Sequence, residues 1–139
     1  MPDIDILAYA NGRAVPLQVK AMRQANGTVD AAKYLSMRFE GGQQIIDGIT
    51  AIDRSLIFVL VQIGAARSLD RFFILDQGTL QDLILRNHSR VLQQFGGRRP
   101  KNWESTHCSY SPEDIPGSEE NWELISRRLD RVGEAPVSK

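Results

Sequence analysis

Apolar and polar positions alternate along 3–6 and again along 15–20, with Asn11-Gly12 between the two arms. Alternation at period two marks a strand with one face buried. Asn-Gly is the favoured pair for a two-residue type I′ turn, because both central residues take positive φ. The spacing therefore predicts a β-hairpin over 3–10 and 13–22. In that register partner numbers sum to 23, so Asp5 stands opposite Gln18 and Asp3 opposite Lys20. These four share one face, and Ile4, Ile6, Val15, Leu17 and Val19 share the other. Pro16 occupies a non-hydrogen-bonded site facing the first strand, where its missing N–H does not interrupt the hairpin.

The rest of the chain predicts a sheet with two main helices. Residues 23–32 read as a loop with a second Asn-Gly turn, and 33–39 as a short strand ended by Gly41-Gly42. Residues 43–54 stay open between strand and short helix, with Gly48 and its β-branched neighbours weighing against the helix. The apolar run over 55–63 (SLIFVLVQI) predicts a strand buried on both faces at the sheet centre. A further strand over 71–75 follows a connection short enough for an antiparallel neighbour. Residues 79–95 carry the clearest helical pattern. Thr79 and Asp82 resemble a capping box, Leu80, Leu83, Ile84, His88, Val91 and Phe95 lie on one stripe, and Gly96 supplies the stop. Residues 96–117 are rich in Gly, Pro and Ser and read as irregular. A last helix begins at Ser118, with Trp122, Ile125, Leu129 and Val132 as its buried stripe. Glu119 and Glu120 sit at its positive end, and Arg127, Arg128 and Arg131 at its negative end. The expectation is one α/β (α+β) domain over 1–132, a mixed and largely antiparallel sheet with flanking helices, and a flexible tail over 133–139.

Composition narrows the function classes. The chain has 139 residues, 42% hydrophobic and 24% charged, ordinary for a soluble globular protein. Its formal net charge is zero and its pI about 6.7, so no global positive field gathers nucleic acid and any such contact must use a local patch. Arg98, Arg99 and Lys101 in the loop after the long helix form one candidate, extended by Arg86 and Arg90 on that helix; an ordinary solvated loop has the same composition. Trp103 beside it has the ring to stack a base. Cys108 is the sole cysteine, which excludes an internal disulfide and leaves too few ligands for a usual zinc site. His107 and Cys108, adjacent in sequence, point apart on an extended chain. The longest apolar run, 56–61, is far short of the roughly 20 residues that span a membrane. The chain shows no secretory leader pattern. The expectation is a cytoplasmic protein without membrane contact.

The hairpin face brings together two carboxylates, an amide oxygen and an ammonium. That is the inventory for a divalent cation and a water beside a phosphate. An ordinary amphipathic ribbon with an Asp–Lys cross-strand pair has the same pattern. The order Asp5-Ile6-Leu7, hairpin, Gln18-Val19-Lys20-Ala21 resembles the core motif of the PD-(D/E)XK nuclease superfamily. The likeness is to branches with a (Glu or Gln)-x-Lys strand, such as Holliday-junction resolvases and some intron-associated endonucleases. The apolar strand at 57–63, the segment from Asp70 to Leu75 and the helix from Thr79 follow in a similar order. The resemblance implies a restriction-endonuclease-like core and phosphodiester hydrolysis of DNA assisted by Mg²⁺ or Mn²⁺. Asp5 would ligate the metal, with Asp3 as alternative or helper. Gln18 would ligate through its side-chain oxygen and Val19 through its carbonyl. Lys20 would hold or help deprotonate the attacking water. Gln18 stands where many relatives carry Glu, and the family's usual first helix has no counterpart here. The apolar hairpin face then needs a cover, either the 79–95 helix or a second subunit, and the expectation leans to a homodimer. The alternative function is a catalytically inactive nuclease-fold module that binds nucleic acid or a partner protein.

Overall fold

The computed structural model describes residues 6–23, 26–64, 66 and 69–131. In chain order the elements are β1 (Ile6–Ala10), β2 (Arg13–Met22), β3 (Gly27–Asp30), a 3₁₀ turn (Ala31–Lys33), β4 (Leu35–Glu40), β5 (Gln43–Ile49), β6 (Ile57–Gln62), β7 (Arg71–Asp76), α1 (Gln77–Gln94), β8 (His107–Tyr110), a second 3₁₀ turn (Pro112–Asp114) and α2 (Glu123–Arg131). The architecture is mixed α and β, with a mainly antiparallel sheet arrangement and two helices.

Asn11 (φ 54°) and Gly12 (φ 77°) both take the left-handed conformation that a type I′ turn demands. They join β1 and β2 in the register Ile6 to Leu17 through Ala10 to Arg13, the pairing in which partners sum to 23. β6 lies beside β2 in parallel, with Leu17 aligned with Ile57 and Lys20 with Leu60. β7 pairs antiparallel with β6, giving the four-stranded order β1-β2-β6-β7. The apolar run thus sits between two strands, as its composition requires. Phe58 and Leu60 face α1 and its Leu80, Leu83 and Ile84. Ile57 and Val59 face the other way, with Val15, Leu17 and Ile74, onto Leu124, Ile125 and Leu129 of α2. α2 of the same chain therefore covers Val15, Leu17 and Val19 of the hairpin's apolar face, while Ile6 on that face stays 50% exposed.

Several sequence expectations change. Residues 23–32 are not only a loop, since β3 pairs antiparallel with β8, Gly27 opposite Tyr110 and Asp30 opposite His107. Gly27 does not make a second Asn-Gly turn. It is a glycine of close approach, because the Tyr110 ring fills the space a Cβ would take. Residues 96–117, expected to be irregular, contain β8. The open region 43–54 resolves as strand over β5, paired with β4 through a bulge between Ser36 and Met37. And α1 is capped not at Thr79 but at Asp76, the last residue of β7, whose Oδ1 accepts from the Thr79 N–H (2.8 Å) and hydroxyl (2.7 Å). The strand runs straight into the helix, so no loop composition marked the boundary. At the far end Phe95 is 41% exposed and leaves the stripe.

The last helix starts at Glu123, later than Ser118. The segment before it lies along the open edge of β7 instead. The Ile74 N–H donates to the Ser118 carbonyl (2.8 Å), and the Glu120 N–H donates to that of Phe72 (2.8 Å). Glu119 pairs with the Arg71 guanidinium (2.8 Å) instead of a helix dipole, which holds its carboxyl below the usual range. Trp122 packs on Phe72, centroids 5.6 Å apart, at the rim of the α2 face. Val132 and the tail over 133–139 lie outside the described residues. Among the described residues no helix is long and apolar enough to cross a membrane.

Candidate active site

Period-two alternation along β2 sends Val15, Leu17 and Val19 to the α2 face and Gln18, Lys20 and Met22 to the α1 face. Met22 is buried there in the main core, Gln18 is half-buried and Lys20 is exposed. The Lys20 ammonium lies 5.6 Å from the centroid of the Phe58 ring. Phe58 is the β6 residue aligned with Gln18, so the lysine leans back along the strand towards the amide. Gln18 and Lys20 thus share one face of β2, as the alternation predicts. Asp3 and Asp5 lie outside the described residues. Val19 aligns with Val59 of β6.

Lys20 forms no salt bridge among the described residues, and its cation–π contact with Phe58 is of the weak, exposed kind, about 0.5–1 kcal/mol. Its ammonium therefore keeps donors for an incoming oxygen. The side-chain oxygen of Gln18 suits a hard cation such as Mg²⁺. Among the described residues no three His, Cys, Asp or Glu side chains gather to hold a metal. A carboxylate contribution to the set thus rests on Asp5 and Asp3.

Lys20 also lines a polar cleft of about 290 Å³ with Thr28, Asp30, Lys33, Tyr34 and His107. Asp30 caps the first 3₁₀ turn. Its Oδ1 accepts from the Ala32 N–H (3.0 Å) and the Thr106 hydroxyl (2.5 Å). These bonds, Thr106 foremost, hold its carboxyl below the usual range. Sequence reasoning missed this wall, since it depends on β3 meeting β8. The alternation does explain why the His107 and Cys108 side chains leave β8 on opposite faces: Cys108 is buried, its thiol pushed up by burial, and His107 is exposed.

The five basic residues expected to meet nucleic acid are spread over α1 and the loop that follows it. Arg99 has a structural task, donating to the carbonyls of Ser105 (2.9 Å) and His107 (2.6 Å) and so fixing the chain that leads into β8. It shares one shallow cleft with Lys101. It shares another with Arg90, His88, His107 and Cys108. Arg98 lies over the Trp103 ring (5.9 Å), which meets Phe39 edge-on. Arg86 is exposed on α1 and lines neither cleft. His107 borders both the Lys20 cleft and the Arg90–Arg99 cleft, so the two basic regions meet at that side chain.

The His88 ring is part of the core rather than of a site. The Gln44 amide donates to the carbonyls of Trp103 (2.5 Å) and Ser105 (2.8 Å). Its oxygen is left to accept, and the His88 Nε2–H is the donor (2.8 Å). Burial, then the nearby Arg99 charge, holds the imidazole below its usual range and so neutral.

Comparison with protein-family models, curated proteins and solved structures gives no match to this chain.

Proposed function

We propose that this chain is a metal-dependent DNA endonuclease domain of the PD-(D/E)XK kind, centred on Asp5, Gln18 and Lys20. The observation that carries the reading is the hairpin register. Its pairs obey the sum of 23, and Gln18 and Lys20 share the α1 face with the ammonium over the ring aligned with Gln18. Asp5 and Gln18, helped by Asp3 and the Val19 carbonyl, would hold Mg²⁺ or Mn²⁺ in an all-oxygen set. Bound there, the ion would polarise the phosphate and acidify a water. Lys20 holds the attacking water by donating to it. The water oxygen joins phosphorus, the ester P–O bond breaks, and the proton passes to the departing oxygen.

The neutral amide of Gln18 favours a second reading, because it supplies less charge for a cation than a carboxylate would. In that reading the same surface binds nucleic acid or a partner protein without cutting. Cleavage of supercoiled plasmid and branched DNA with Mg²⁺ or Mn²⁺ separates the two. Lys20→Ala and Asp5→Asn are each expected to slow cleavage about 100-fold or more, and Lys20→Ala leaves the fold intact because the side chain is exposed. Equal rates for wild type and Lys20→Ala remove the enzyme reading; DNA binding without cleavage establishes the inactive module. A homodimer draws its support from the exposed Ile6, Leu7 and Tyr9 of β1, and light scattering at the monomer mass removes it.

A further inference from the structure

We infer that the cleft between β2, β3 and β8 is a phosphate subsite, in which Lys33 and His107 contact a backbone phosphate of the DNA strand next to the one facing Lys20. The inference rests on the nuclease-fold reading of Gln18 and Lys20 and extends it to residues that the hairpin motif does not contain. Three observations carry it.

The cleft is polar, and Lys20 on β2, Lys33 on the 3₁₀ turn and His107 on β8 converge on it from three elements. Neither ammonium forms a salt bridge among the described residues; the Lys33 charge acts on the Asp30 carboxylate only as the least of the influences on it. The one carboxylate of the wall, Asp30, already accepts from the Ala32 N–H and the Thr106 hydroxyl. Those bonds orient it as a strut for the turn that carries Lys33.

The geometry also favours an anion that is part of a chain over an isolated one. The cleft shares His107 with the cleft that Arg90 and Arg99 line, which places further cations beside it for a strand that continues past His107. Arg99 fixes the His107 backbone through its carbonyl, so the imidazole is presented from a held strand. Thr28, on the same face of β3 as Asp30, adds a hydroxyl donor. Phosphodiester oxygens are recognised by this mixture of ammonium, imidazole and hydroxyl donors without any base contact.

The test is fluorescence anisotropy with a labelled duplex oligonucleotide, Ca²⁺ replacing Mg²⁺, over a salt series, using wild type, Lys33→Gln and His107→Gln. Each variant is expected to bind about 3- to 10-fold more weakly. For Lys33→Gln the slope of log affinity against log salt is expected to shrink by about 0.9, the loss of one neutralised phosphate. Both side chains are exposed, and matching thermal melts confirm that the fold is kept. Unchanged affinity and salt slope in both variants overturn the subsite while leaving cleavage by wild type and its dependence on Lys20 untouched. Absence of DNA binding by wild type overturns it as well. Weakened binding in the variants supports the subsite even if wild type cuts no DNA, an outcome that would remove only the nuclease reading.

Discussion

The two faces of the four-stranded sheet are built on different principles. On the α2 face the contact is almost wholly aliphatic: Val15, Leu17, Ile57, Val59 and Ile74 meet Leu124, Ile125 and Leu129. Polar groups act only at its margin, where Arg13 donates to the Asp130 carbonyl (3.1 Å) and Arg128 to that of Ser55 (2.6 Å). On the α1 face a similar aliphatic layer is overlaid by buried amides. Gln81, fully buried, donates to the carbonyls of Tyr34 (2.8 Å) and Thr50 (3.0 Å) and accepts from Arg54 (2.5 Å). Gln44 ties His88 to the loop before β8. The α2 face needs only to exclude water. The α1 face must also hold the β4–β5 ribbon and the β3–β8 ribbon at fixed angles, and directional bonds do that where packing alone does not. The candidate site lies on the second face.

This contrast sets an order of expected effects. Ile84→Ala, at the centre of the α1 layer, is expected to cost about 4 kcal/mol in urea unfolding. Gln81→Leu keeps volume but takes the amide donor from the Thr50 carbonyl and leaves the Tyr34 carbonyl with the Thr50 N–H alone, and is expected to cost about 2 kcal/mol; a change below about 1 kcal/mol would mean the amide layer contributes no more than packing. Leu129→Ala, half-buried on α2, is expected to cost about 1.5 kcal/mol, and a loss as large as that of Ile84→Ala would erase the contrast between faces. The last test reads a slope. His88 has a depressed folded pKa, so the unfolded chain binds its proton more readily. Stability is complete above the unfolded value of about 6.5 and falls as pH drops from there through the folded pKa. Unfolding free energies measured across that window should decline in wild type and be flatter in His88→Gln. The depressed carboxyls of Asp30, Asp53 and Glu119 act lower, below about pH 4. A wild-type profile flat between pH 7 and 5 would deny that His88 is held neutral by its surroundings.

Legibility followed locality. The β1–β2 turn, its register and the face shared by Gln18 and Lys20 were readable, because Asn11-Gly12 and the alternation lie within about ten residues of everything they position. The central place of β6 was readable from its apolar run. The Asp76 cap was hidden because a strand runs into a helix with no intervening loop. The choice of α2 as cover for the hairpin was hidden because two amphipathic helices compete for two apolar faces. β3 and β8 were missed for a different reason. Each has four residues and a weak local signal, and each is a strand because the other is present and because Val29, Cys108 and Tyr110 join the main core. Lys33, and the place of His107 beside Lys20, went unnoticed with them. Gly27 was misread for the same cause, since its need for glycine comes from a ring 83 positions away.

The β3–β8 ribbon closes a long loop, and the Asp30–Thr106 bond beside it spans 76 positions. Loop closure of that length is favourable only after the intervening strands and α1 are in place to reward it. A chain made only as far as α1 carries Lys20, Asp30 and Lys33 but neither His107 nor the strand that pairs with β3. Assembly order thus withholds the groove until β8 has been made. In the finished protein the same ribbon, short and at the periphery, is the segment whose amides should exchange with solvent before those of β6.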